Sequence, residues 1–189
     1  MDILRIREIL NLENNISREL SYKILKGYWT SNISNANIYL NNHLEKNANK
    51  GHNKRFISNL CLGTIRLHGR YDYILKSLYN GNYDKLDIGI KIILRMGLHQ
   101  IEDFDTIPDY ASINSTVEMI KKYYKGFENT ANALMRNYLR KKSSISQFLL
   151  TDEYERISSL LSMPLWIFNK WVEKMSLEKE AKDNILTLR

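Results

Sequence analysis

Chemistry-bearing motifs are scarce in this chain of 189 residues. It holds one cysteine, Cys61, and two prolines, Pro108 and Pro164. A single cysteine excludes a disulfide framework and a CxxC zinc knuckle, and cytoplasmic residence is the simplest expectation. So few prolines leave long helices unobstructed. There is no glycine-rich phosphate loop, no HExxH and no GxSxG, which removes the usual nucleotide-hydrolysing, zinc-protease and serine-hydrolase signatures. His43, His52, His68 and His99 fall in separate segments without ligand-like spacing, so no metal site and no cofactor are expected. No apolar run approaches the ~18 residues of a membrane span. The opening segment mixes Asp2, Arg5, Arg7 and Glu8 with its apolar residues, unlike a secretory leader.

What the chain does have is apolar content and positive charge. At 43% hydrophobic residues it can build a substantial core, and its formal charge of +7 favours polyanionic partners. The charge is unevenly placed. Residues 1–80 hold twelve basic side chains against six acidic ones, whereas residues 143–189 hold six against seven. The basic excess belongs to the N-terminal half.

Apolar residues recur at spacings of three and four, which predicts an all-α protein. Ile16, Leu20, Ile24 and Tyr28 form one stripe; Ala36, Leu40 and Leu44 form a second, entered at Ser34. Asn53 is placed to cap a third helix through Phe56, Leu60 and Leu67, with a kink expected between Leu67 and Arg70 at Gly69. Leu86, Ile90, Ile93, Leu94, Leu98 and Ile101 make a broad apolar face that suits a central, buried helix. After the break at Asp105 to Pro108, stripes through Tyr110, Ile113, Val117, Ile120 and Tyr124, then through Phe127, Ala131, Leu134 and Tyr138, close a bundle. The expected core includes Leu20, Leu60, Ile90, Leu94, Ile113, Val117, Leu134 and Leu139. The charged run Arg140 to Ser144 looks like a domain edge, which divides the chain into an extension over 1–15, a bundle over 16–142 and a helical appendage over 143–189. In the appendage, Trp166 and Trp171 are expected to pack, and Ser176 to Arg189 is amphipathic.

The reactive side chains read mostly as structural. Asp103 and Asp105 flank Phe104 and could form a carboxylate pair, but a solvated turn before Pro108 is the simpler reading. Cys61 lies in an apolar run with no base beside it in sequence, as a buried thiol does. The basic half offers more. Arg18, Lys23 and Lys26 share a helix with Tyr28 and Trp29, Lys54 and Arg55 open the next basic helix, and Arg66 and Arg70 extend it. RNA recognition uses cations for phosphates and flat side chains for unpaired bases. A solvated helix face has the same composition, so both readings stay open at this stage.

From Ile16 to Asn137 the order of landmarks resembles the NusB family, the helical fold of transcription antitermination factors and of the N-terminal domain of bacterial rRNA cytosine-5 methyltransferases. The landmarks are Arg18 and Glu19; Lys54, Arg55 and Phe56; LCLGTIR at Leu60 to Arg66; LRMGLHQI at Leu94 to Ile101; IPDYASINSTVEMIKKYY at Ile107 to Tyr124; and TANALMRN at Thr130 to Asn137. Gly63 and Gly97 lie inside apolar helices, where glycine costs about 1 kcal/mol relative to alanine, so close helix crossings are expected there. Asn114 and Asn132 are expected to be buried amides that hydrogen-bond across the bundle or to backbone.

Departures from the pattern discriminate within the family. Asn14, Asn15 and Ile16 stand where the antitermination factors carry an arginine-rich run that contacts boxA RNA, and Ser115 replaces an acidic residue. SMPLWIFNKWVEK at Ser162 to Lys174 resembles the segment that follows this domain in the methyltransferases. The resemblance therefore implies an rRNA-binding domain that would deliver its target to a methyltransferase domain beyond Arg189, with Arg18, Lys23, Lys26, Lys54, Arg55, Arg66 and Arg70 as RNA contacts. The chain itself has neither a second cysteine nor the glycine-rich turn for S-adenosylmethionine, so no catalysis is expected of it. The alternatives are a free-standing antitermination factor acting on boxA RNA with the ribosomal protein NusE, and a helical protein-interaction scaffold.

Overall fold

In a computed structural model, residues 3–47, 52–143 and 153–174 are described, with side chains from residue 14 onward. Among them the chain forms helices α1 (Ile3–Thr30), α2 (Ala36–Lys46), α3 (Lys54–Arg66), α4 (His68–Leu78), α5 (Ile88–Asp103), α6 (Asp109–Tyr123), α7 (Glu128–Lys141), α8 (Glu153–Leu160) and α9 (Leu165–Lys174), with a 3-10 turn at Tyr83–Lys85 and no strand. No described helix is long and apolar enough to cross a membrane.

Local chemistry sets the boundaries. The Asn53 side chain accepts from Phe56 N and caps α3 as expected, while α2 is capped by Asn35, one residue beyond Ser34, through Ile38 N. Asp87 caps α5 through Gly89 N. Gly126 adopts φ +99°, the left-handed conformation that lets the chain reverse between α6 and α7. The break between α3 and α4 falls at Leu67, within the section expected to kink but two residues before Gly69. Gly69 instead admits the appendage: its amide donates to Ser162 Oγ at 2.9 Å. The first helix begins at Ile3, so the expected boundary between extension and bundle at residues 15 and 16 falls inside α1.

Helix α5 is the axis of the bundle. Residues 92–101 are all buried, and the other core helices pack around them. Of the eight residues expected in the core, Leu60, Ile90, Leu94, Ile113 and Leu134 are buried. Leu20, Val117 and Leu139 are half-buried and packed against the core from the edge of their stripes. Gly63 and Gly97 mark close crossings, as expected. A Cβ on Gly63 would lie 2.0 Å from His99 Nε2, and one on Gly97 would lie 2.4 Å from Thr116 Oγ1.

Polar residues of α5 tie it to three neighbours, and His99 ties it to two of them, through the Tyr71 hydroxyl of α4 at 2.8 Å as well as through α3. Arg95 holds Asp72 of α4 through two bonds of 2.7 and 2.8 Å and lies 5.0 Å from the Trp29 ring of α1. His99 meets the Asn59 carbonyl of α3 at 3.2 Å, and Gln100 accepts from Arg18 of α1 at 2.6 Å.

Helices α8 and α9 have a small core of their own, Ile157 and Phe168 with Tyr154, Leu161, Met163, Trp171 and Val172. Trp171 packs there as expected. Trp166 does not: it is 64% exposed, because it lies two residues, about 200° of helix, from the inward-facing Phe168. Ser176 to Arg189 lies outside the described residues, as does Ser144 at the end of the expected domain edge.

Candidate nucleic-acid interface

The first helix brings the basic residues to the start of α3. Ser17 Oγ accepts from Asn53 N at 3.1 Å, Ser21 O lies beside the Cys61 thiol, and the Trp29 ring is 6.3 Å from that of His68. These contacts climb both chains together, so α1 and α3 run side by side in the same direction. Lys54 and Arg55 are exposed in the first turn of α3, with no carboxylate partner among the described residues. Their charges add to the positive end of the helix dipole.

Arg18 departs from expectation. It was expected on the surface as a phosphate ligand, yet it is 5% exposed. Its Nε donates to Gln100 Oε1 at 2.6 Å, its Nη1 donates to Asn15 Oδ1 at 3.0 Å, and the guanidinium stands 5.5 Å from the Phe56 ring. Burial pulls its pKa down to about 10, so it remains charged at neutral pH. The cause is position: Arg18 falls on the face that carries Ser17, Ser21, Tyr22 and Leu25 into the bundle. Arg70 is likewise committed, with Nε 3.0 Å from Glu102 Oε2.

The remaining cations are solvent-facing but do not form one patch. Lys23 is exposed. Lys26 stands 5.8 Å from each of the Tyr22 and Tyr124 rings, toward the end of α6. Arg66 is exposed at the far end of α3, roughly 18 Å along the axis from Lys54. Of the seven expected residues, the fold therefore gathers Arg18, Lys54 and Arg55 at the N-terminal end of α3, where it meets the middle of α1, and separates the rest.

A cleft opens beside this end, between α1 and α6. Its volume is about 560 Å³, and Asn14, Asn15, Arg18, Tyr110, Asn114 and Lys122 are among its walls. Lys122 is bonded to Glu19 across it. Asn114, expected to be buried, faces solvent, and Asn132 accepts locally from Arg136 Nε at 3.0 Å. Tyr110, read from its spacing as part of an apolar stripe, is 69% exposed. Helix α6 buries Ser112, Ile113, Thr116, Met119 and Ile120, and Tyr110 and Asn114 fall on the opposite, outer side of the same helix.

The reactive groups elsewhere are structural. Cys61 is fully buried, and burial pushes its thiol pKa up to about 12, as its apolar surroundings imply. Asp103 and Asp105 are both exposed, as a solvated segment implies, but Asp103 closes α5 with its carboxylate 2.7 Å from His99 Nδ1, and only Asp105 lies in the turn. Among the described residues, no group of three or more His, Cys, Asp or Glu side chains is placed to hold a metal.

Residues 15–140 match the sequence model of the NusB family. The chain belongs to the NusB family. Three relatives bear the name probable ribosomal RNA small subunit methyltransferase B. The one from Bacillus subtilis is 26% identical over 152 residues, which is 80% of this chain and 34% of the relative. The one from Synechocystis is 24% identical over the same length and shares. The one from Coxiella burnetii is 30% identical over 123 residues, 63% of this chain and 26% of the relative. The NusB-family chain thus spans about a third or less of the length of these curated relatives. The match runs from Asn15 within α1 to Arg140 of α7, and α8 and α9 lie outside it.

Proposed function

We propose that this NusB-family chain is the RNA-recognition domain of an rRNA cytosine-5 methyltransferase, and that a methyltransferase domain in the same full-length chain is its partner. The observation that carries this reading is the kinship with the named methyltransferases, with 80% of the chain aligned to two of them. That share exceeds what residues 1–140 contain, so the likeness continues past the bundle, toward the appendage. Asn14, Asn15 and Ile16 stand where antitermination factors resemble one another in arginines, which counts against a free-standing role on boxA RNA with NusE. An rRNA target implies a cytoplasmic site of action.

The physical support is a set of exposed cations free to release phosphate counterions: Lys23, Lys54, Arg55 and Arg66, with Lys26 held over two tyrosine rings. Arg18 and Arg70 act from inside, holding the helices that display them. The test is binding of a small-subunit rRNA fragment over a salt series. Replacing Lys54 and Arg55 by glutamine should lower the slope of log affinity against log salt by about 1.4, two phosphate contacts at ~0.7 each on single strands. The melting temperature should hold, because exposed charges contribute little to stability. An unchanged slope removes these two residues from the interface; a parent that shows no salt-sensitive binding removes the RNA reading altogether.

A further inference from the structure

Helix α6 carries a second feature that the basic N-terminal half does not explain. Tyr110, Asn114 and Glu118 are all exposed and follow one another at intervals of four residues, so they line up along one side of the helix. Tyr110 and Asn114 are shared walls of two clefts. On one side is the cleft toward α1, with Arg18 in its wall; on the other is a cleft of about 310 Å³ toward α7, lined also by Ile113, Leu139, Arg136 and Arg140.

The two sides differ in charge. The cleft toward α7 has two arginines and no carboxylate in its walls, and both arginines are exposed. In the cleft toward α1, the Lys122 charge is matched by Glu19, and the walls are rich in amides and hydroxyls: Asn14, Asn15, Asn114 and Ser115. One side suits phosphates, the other suits the edge of a base. Between them stands an exposed phenol ring, the most exposed large hydrophobic residue of the bundle.

We propose that Tyr110, Asn114 and Glu118 form a track for unpaired nucleotides of RNA. Tyr110 stacks on one base; Asn114 and Glu118 read the polar edge of the next; Arg136 and Arg140 hold the phosphates beside them. An amide offers both donor and acceptor to a base edge, and a carboxylate accepts from an amino group, so the pair favours bases with an exocyclic amine. A duplex presents no free base face and is excluded. This inference rests on the RNA-binding reading but uses residues apart from Lys54 and Arg55, so the two can fail separately.

The experiment measures binding of short unstructured RNA oligonucleotides of differing base composition, and of the same sequences as duplexes, to the full chain and its variants. Tyr110→Ala should weaken single-strand binding about fivefold or more, the lower end of base–aromatic stacking, whereas Tyr110→Phe should bind within about twofold of the parent. Arg136→Gln with Arg140→Gln should lower the salt slope by about 1.4. Glu118→Gln should change the preference among the oligonucleotides, and melting curves should show each variant folded. If the parent binds RNA with the expected salt dependence while Tyr110→Ala binds equally well, the track is overturned and the proposed function survives. Equal affinity for duplex and single strand also overturns it, and a parent that binds no RNA overturns both.

Discussion

Replacing Arg18 by alanine tests whether this cation belongs to the fold or to the surface. The substitution removes a 2.6 Å bond to Gln100 and a 3.0 Å bond to Asn15, and strips the Phe56 ring of its cover. Hydrogen bonds to a charged group contribute ~1.5–3 kcal/mol, and a buried acceptor left alone, here Gln100 Oε1, costs ~1–3 kcal/mol. Against this stands the relief of no longer burying a charge, which is what holds the Arg18 pKa down at about 10. The net loss should be about 2–3 kcal/mol. For a chain of this size that is a fall of roughly 5–10 °C in melting temperature. Urea unfolding followed by circular dichroism measures it directly. A second variant separates loss of a bond from creation of an orphan: Arg18→Met together with Gln100→Leu should recover at least half of the loss, because no polar partner remains unpaired. If Arg18→Ala unfolds within about 0.5 kcal/mol of the parent, its buried contacts contribute nothing and the surface-cation reading returns.

Gly63→Ala should destabilise by about 1–3 kcal/mol, because the new methyl would sit 2.0 Å from His99 Nε2 in a packed crossing, and a thermal melt reads the loss. His99 should titrate below the usual histidine value: burial lowers its pKa, and Asp103 opposes only in part. The unfolded chain then takes up a proton at higher pH than the folded one, so stability declines as pH falls from ~6.5 toward the folded pKa, and rises again toward neutrality. Proton NMR of the His99 ring gives the midpoint. A value above 6.5 would mean that the imidazolium pairing with Asp103 outweighs burial.

Helix existence was legible because apolar spacing is a property of the chain. The stripe from Leu86 to Ile101 announced α5, and Asn53 announced the start of α3. Gly63 and Gly97 announced crossings, since glycine in an apolar helix has few other reasons to be there. Azimuth was harder to read. Arg18 looks like a surface cation in any tally of charge, and only the turn of α1 toward Gln100 commits it to the interior. Asn114 and Tyr110 looked interior by spacing, but α6 turns Ser112, Ile113, Thr116, Met119 and Ile120 inward, which leaves those two on its outer side. The cleft between α1 and α6 has no sequence signal, because its walls come from segments about a hundred residues apart.

The polar residues of α5 do something that its apolar ones cannot. A greasy cylinder among other greasy cylinders can settle at more than one rotation about its axis, with leucine exchanging places with isoleucine at small cost. Arg95, His99 and Gln100 remove that freedom, since their complements are spread over three neighbours: Asp72 and Tyr71 on α4, Asn59 on α3, Arg18 on α1. Turning α5 by a single residue, about 100°, would strand all three at once, at roughly 1–3 kcal/mol apiece. The helix is therefore keyed rather than merely greased into place, and its three keys also hold the outer helices in phase with one another. The relative bearing of the α1 and α3 surfaces is thus decided at the centre of the molecule, by side chains that no ligand can touch.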